Sequence, residues 1–246
     1  MAGLENKLGC YGKLPAFGDF VTRGLSHAVT EKWDAWLQAG LAHSRNVFEA
    51  GWLEAYQKAP LWRFCLQSGV LGEMAWCGLM FPSVDRVGRH FPFAIFMSLP
   101  PQTELASVCL EQNDWFDQLE SIALQCRDPE FQFDAWFDAL DHISPPEGLS
   151  LVDLENMTVP LKAPEMDEGG LRLVMINGSD DTALVERYLY SPGQPYSVWW
   201  RREDEKNMVA IQIARDLPLI ERFPALLDEQ WLTWDWREKI VVWRPE

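Results

Sequence analysis

Residues 61–100 read LWRFCLQSGVLGEMAWCGLMFPSVDRVGRHFPFAIFMSLP, and this stretch decides the fold. Leu61–Phe81 divides at a glycine-bearing turn into two apolar runs, which predicts two paired strands. Phe91–Pro100 is almost continuously apolar, as expected of a third strand buried on both faces. Pro100 and Pro101 end it, because proline supplies no ladder donor. Turns this tight cannot carry parallel crossovers, so this part of the sheet is antiparallel.

Upstream, Leu8–Leu14 alternates apolar residues with glycines and runs into Pro15 and Gly18, which reads as a strand entering a sharp loop. A helix is expected from about Thr30, where Trp33, Trp36, Leu37, Leu41, Val47 and Phe48 recur at helical spacing. Downstream, Thr103 is a candidate cap for a helix striped by Leu105, Val108, Trp115, Phe116, Leu119 and Ile122, with a break near Asn113. Phe137 and Leu140 mark a shorter helix. Residues 144–170 are rich in Pro, Glu and Asp and read as a surface excursion or linker. Beyond them, residues 171–176 read as a strand, Asp181–Leu189 as a short helix, and SVWW and MVAIQIA as two more strands. The tail LPLIERFPALLDEQWLTWDW begins helical and turns irregular. Strands alternating with helices predict a layered α/β fold, a mixed and partly antiparallel sheet with helices on both faces. We read residues 1–246 as one domain.

The chain of 246 residues is long enough to bury about three-quarters of its unfolded surface without a disulfide or metal. Its 13 tryptophans therefore belong mostly to the core, with some available to an interface, where indoles are enriched at hot spots. Net charge is −16, and residues 128–168 hold eleven Asp/Glu against Lys162 alone. Such a balance repels phosphate backbones and anionic lipid, which argues against nucleic acid and membrane partners. The N-terminal residues lack the basic and apolar regions of a signal peptide, and no apolar run reaches the ~20 residues of a membrane helix. Five cysteines without a C-x-x-C pair read as reduced core residues, so the expected compartment is the cytoplasm.

Two segments carry most of the polar information. Gly12-Lys13-Leu14-Pro15-Ala16-Phe17-Gly18-Asp19 has the glycines of a phosphate loop. It lacks the Gly-Lys-Ser/Thr ending that opens a helix, and also the G-x-G-x-x-G spacing. A sharp turn in which Gly12 and Gly18 supply special backbone angles, buttressed by Asp19, accounts for it. Ser83-Val84-Asp85-Arg86-Val87-Gly88-Arg89-His90-Phe91-Pro92 brings two arginines together with Ser83, Asp85 and His90. Either the guanidinium forks clamp an oxyanion, or Asp85 pairs with an arginine inside a polar turn. No catalytic signature and no metal-ligand spacing occurs, so neither a cofactor nor a catalytic residue is expected.

Taken together, Tyr11-Gly12-Lys13-Leu14-Pro15, Gly18-Asp19, and Ser83, Asp85, Arg86, Gly88, Arg89 and Pro92 resemble the two hallmark segments of the TagF/ImpM family of bacterial type VI secretion accessory proteins. The likeness covers chiefly residues 1–140. Ser197–Trp200 and the Leu217–Trp231 tail are also similar to the family's C-terminal half. The resemblance implies a three-layer α/β/α sandwich without enzymatic activity. It also implies a post-translational repressor of secretion that engages a forkhead-associated scaffold protein in the cytoplasm. Relatives fused to a PP2C-type phosphatase are known, and no such extra domain is expected here. Candidate partner-binding residues are Trp199, Trp200 and Arg201 first, with one indole pointing outward, and Arg86 and Arg89 second. The alternative is a small-molecule or phosphoryl-sensing module, or a degenerate enzyme, built on the Gly12–Asp19 loop and Arg86/Arg89.

Overall fold

The computed structural model describes residues 8–128, 131–151, 170–176, 185, 195–201 and 208–242. The three decisive runs form β3 (Trp62–Leu66), β4 (Ala75–Phe81) and β5 (Phe93–Leu99), joined in register by antiparallel pairing. β1 (Gly9–Gly12) adds to β5, and β2 (Val21–Arg23) forms the edge beyond it. On the other side come β7 (Tyr196–Trp200), β8 (Met208–Arg215), β6 (Leu171–Ile176) and β9 (Arg237–Val242). The order in this nine-stranded sheet is β2-β1-β5-β4-β3-β7-β8-β6-β9. Every pair is antiparallel except β6–β9, so the sheet is mixed by virtue of one ladder.

Helices cover both faces, as expected. One face carries α1 (His27–Phe48), α2 (Trp52–Lys58) and α6 (Ala225–Asp228); the other carries α3 (Leu105–Glu111), α4 (Asn113–Ala123) and α5 (Phe133–Asp141). Alternation along β5 therefore serves two cores. Phe93, Ile95 and Met97 face Phe116 and Trp136, whereas Ala94 and Phe96 face Trp33 and Trp36.

One row across the sheet shows how closely the second core is fitted. Phe96, Gly78, Phe64 and Trp199 stand opposite one another in successive strands. Gly78 contributes no side chain, so the rings of Phe64 and Phe96 meet above it with centroids 5.3 Å apart. Trp33 of α1 packs on Phe64, Phe96 and Trp199 together. On the opposite face, buried Arg63 of β3 binds Glu120 at 2.6 Å and Asn113 at 3.0 Å and also pairs with Asp117, tethering α4 to the sheet.

Several details differ from expectation. α1 starts three residues earlier than Thr30, capped by the Ser26 hydroxyl, which accepts from the Val29 amide. Thr103 is not a cap. The residue before α3 is Glu104, and the Thr103 hydroxyl turns back to donate to the Pro100 carbonyl. The break near Asn113 is real, with Gln112 between α3 and α4. β2 and β9 carry no strand signal in the sequence, because both are edge strands with exposed polar residues and no apolar alternation. The Asp181–Leu189 helix, apart from Val185, and residues 152–169 of the acidic segment lie outside the described residues. No helix among the described residues is long and apolar enough to cross a membrane.

Gly78→Ala tests the aromatic row. An added Cβ would lie 1.9 Å from the Ile95 carbonyl oxygen and 3.0 Å from the Phe64 ring. We expect a loss of about 3 kcal/mol, the upper end for overpacking a filled core, read from urea unfolding followed by tryptophan fluorescence.

Candidate functional site at the interlocked loops

The two hallmark segments, some sixty residues apart in sequence, meet at one end of the sheet. β1 ends at Gly12, whose φ of 138° suits glycine alone. A Cβ there would stand 2.2 Å from the Pro92 carbonyl oxygen, so the first loop leaves the sheet pressed against the second. Lys13 and Leu14 turn inward and are buried. The Phe17 amide donates to the Leu14 carbonyl at 3.0 Å and closes the turn. Gly18 does not adopt a left-handed angle, contrary to expectation; its carbonyl is what the structure uses. The Asp19 carboxylate accepts the Phe20 amide at 2.8 Å, the buttressing role foreseen for it.

The second loop is organised by Asp85. One carboxylate oxygen accepts the Val87 amide at 3.1 Å and the Arg89 amide at 2.8 Å. The other accepts the Arg89 Nε–H and the Lys13 ammonium, each at 2.6 Å. Gly88, with φ of 86°, closes the turn by donating its amide to the Asp85 carbonyl. Two further bonds lock the loops together: the Arg86 amide donates to the Phe17 carbonyl at 2.8 Å, and the Arg89 guanidinium donates to the Gly18 carbonyl. Burial alone would raise the Asp85 carboxyl. Bonds from Lys13, from the Arg89 backbone and side chain and from the Val87 amide outweigh it and hold the group well below the usual carboxylate range.

Surrounding residues brace this knot. Tyr56 of α2 donates its hydroxyl to the Ser83 carbonyl at 2.8 Å and accepts the Ser83 amide at 3.0 Å. Tyr11 donates to Asp34 of α1 at 2.6 Å and stacks on Phe20, which lies 4.7 Å beneath the Lys13 ammonium. Phe17 packs edge-on against Phe133 of α5, at 4.3 Å. Phe20 belongs to the first hallmark segment, whereas Tyr56 and Asp34 carried no sequence signal, since each acts from a separate helix.

Chemically, the arrangement consumes its own charges. Lys13 faces the interior and is neutralised by Asp85, so the Gly12–Asp19 loop presents no lysine to a phosphate. Arg89 divides its guanidinium between Asp85 and Gly18. Arg86 remains exposed, and its guanidinium has no hydrogen-bond partner among the described residues.

The first-choice partner-binding residues lie elsewhere and need correction. Trp199 and Trp200 point to opposite faces of β7, but both faces are covered, and exposures of 0% and 3% leave neither indole outward. Trp199 completes the row under α1 and donates to the Ser197 hydroxyl, while Trp200 packs on Phe116. Arg201 is half-buried and donates to Glu229 at 2.8 Å. β7 is separated from β1 by β3, β4 and β5, so these residues do not join the loop site.

The buried carboxylate sets a pH dependence. Because the folded-state pKa of Asp85 is depressed, its stabilising contribution is complete above the unfolded value of about 3.9 and is lost as pH falls below it. In Asp85→Asn the decline in melting temperature from about pH 5 to about pH 2 should flatten relative to wild type. In a Lys13→Met/Asp85→Asn cycle, the double variant should melt above the temperature expected by adding the two single losses, since each single change strands a buried group.

Comparison with known proteins places this geometry. A family model described as the TagF N-terminal domain, type VI secretion system-associated, matches residues 9–143, which include both loops and α1–α5. Comparison with curated protein sequences returned no match. Among solved structures, the chain is similar to PA0076 from Pseudomonas aeruginosa PAO1, with a TM-score of 0.72 and 30% sequence identity over 98% of this chain and 99% of that one. The two segments that interlock through Lys13 and Asp85 thus lie within the matched region, and the chain belongs to the family of type VI secretion system-associated proteins that carry the TagF N-terminal domain.

Proposed function

We propose that this protein is a non-enzymatic, post-translational repressor of a type VI secretion system. It acts by binding a cytoplasmic scaffold component of the forkhead-associated class. Membership in a secretion-associated family is the observation that carries this reading. The chemistry of the chain supports it. The groups that would have served catalysis at the loops, Lys13, Asp85 and Arg89, are spent on one another. All five cysteines are buried, and burial pushes the thiols up, to about 12 for Cys10 and about 11 for Cys126, which keeps them protonated and poor nucleophiles.

Repression by binding needs only mass action. Scaffold held by this protein is withdrawn from the assembly-competent pool, and free repressor at a hundredfold excess over Kd leaves about 1% of the scaffold unbound. Deleting the gene in its host should raise the amount of tube protein in the culture supernatant while transcript levels stay constant. Unchanged secretion, under conditions where the apparatus is expressed, would remove the repressor role.

A further inference from the structure

The outer surface of the interlocked loops has the properties of a docking site, and its rigidity comes from the knot beneath it. The Asp85–Arg89 turn is fixed by two amide bonds to the Asp85 carboxylate, two backbone bonds between Asp85 and the residues Gly88 and Arg89, and one bond across to Phe17. On this fixed turn Val87 stands 66% exposed, among the most exposed large apolar side chains described. An apolar residue held out to water on an immobilised turn gains nothing for the fold, but it binds without further loss of backbone freedom.

Beside the turn lies a groove of about 230 Å³, lined by Pro15, Tyr56, Pro82, Val84, His90 and Arg127 among others. Pro15 comes from the first loop, Pro82 and Val84 from the second, Tyr56 from α2 and Arg127 from the turn after α4, so four parts of the chain converge on it. Arg127 is exposed and makes no hydrogen bond among the described residues; its guanidinium rests 5.7 Å from the centroid of the Phe81 ring. Arg86, two residues beyond Val84, is likewise exposed, and its guanidinium makes no hydrogen bond among the described residues. Arg89 keeps 57% of its side chain in water although its Nε is bound to Asp85. The acidic groups of the two loops are Asp85, which is buried and neutralised, and Asp19. Asp134 and Asp138 of α5 line a separate cleft with Val21, Thr22 and Arg23. In a chain of net charge −16, Arg86 and Arg127, neither of which makes a side-chain hydrogen bond among the described residues, flank an apolar knob and groove, with Asp128 the exposed acid next to Arg127.

We propose that this surface docks an acidic segment of a partner protein. An apolar side chain of the segment enters the groove between Pro15, Tyr56, Pro82 and Val84, and flanking carboxylates meet Arg86 and Arg127. The partner chemistry follows from charge complementarity: exposed guanidiniums beside an apolar groove favour carboxylates, and the acidic remainder of the chain draws basic partners to other faces. The inference rests on the binding role proposed above and names the face and the partner chemistry.

Two arms of one experiment test it. In the first, a short fluorescent peptide with one leucine flanked by glutamates is titrated by anisotropy against the wild type, Arg86→Glu/Arg127→Glu, Val87→Ser and a control, Arg237→Glu on β9. A peptide of the same length with lysines for glutamates is run alongside. Saturable binding of the acidic peptide is expected, weakened at least about tenfold by the double charge reversal and by raising salt from about 0.05 to about 0.3 M, and unchanged by the control. All replaced side chains are exposed, and each variant's melting temperature is measured beside wild type so that only folded variants are compared. Equal binding by all variants, or no saturable binding, overturns the docking surface. In the second arm the purified forkhead-associated scaffold protein replaces the peptide. Equal scaffold affinity for wild type and the charge-reversed variant overturns this face and leaves the repressor reading standing. Peptide binding without scaffold binding does the reverse: it removes the scaffold as partner and supports the face.

Discussion

The buried pairing of Lys13 with Asp85 is the constraint on which the rest of the molecule's business end depends. Placing an ammonium and a carboxylate in a protein interior is costly, and the cost is offset only when nearly every donor and lone pair finds a partner. Here Asp85 takes four hydrogen bonds, two from amides of its own turn, one from Arg89 and one from Lys13. A carboxylate so satisfied fixes the backbone of residues 85–89. Because Lys13 follows β1 directly, it also fixes where the first loop leaves the sheet. The left-handed Gly12 and its close approach to Pro92 belong to the same constraint: the strand must end there for Lys13 to reach inward.

This explains why two segments that read as a binding loop and an arginine clamp behave as structure. Their charges are directed at each other, and what reaches water is the residue set that the knot does not use, namely Val87, Arg86 and part of Arg89. A polar core under a surface turn exchanges some stability for a single conformation of that turn, which suits a protein whose work is recognition. The hot-spot residues favoured by composition alone, Trp199 and Trp200, serve the opposite purpose. They join the two cores on either side of a central strand, where their large apolar surfaces are most useful for cohesion.

What was legible in the sequence follows from how local each signal is. The three central strands declared themselves because burial on both faces makes a strand apolar throughout, and α1 because its tryptophans repeat with the helical period. β2 and β9 were silent because an edge strand is half solvated: β2 has only three residues, and the apolar residues of β9 are clustered at Ile240–Val242 without alternation and largely exposed. At the loops, the internal pairing of Asp85 with Arg89 was one of two readings available from a spacing of four residues. The Lys13–Asp85 pair was not, since 72 residues separate its members and only the β1–β5 register brings them together. The error over Trp199 and Trp200 has the same origin. Alternation shows that neighbouring indoles face opposite ways, but whether both faces are covered is a property of the layers, and no dipeptide carries it.

The most direct test of the account is native-state amide hydrogen exchange at Val87 and Arg89, whose amides point at the Asp85 carboxylate. If the buried pair organises the loops, both amides exchange only through large-scale opening, with protection approaching that of β4 and β5 despite their position in a surface turn, and Lys13→Met releases them while the central strands stay protected. If both amides exchange freely in the wild-type protein, the turn is mobile, and neither the lock between the loops nor the rigid surface built on it describes this molecule.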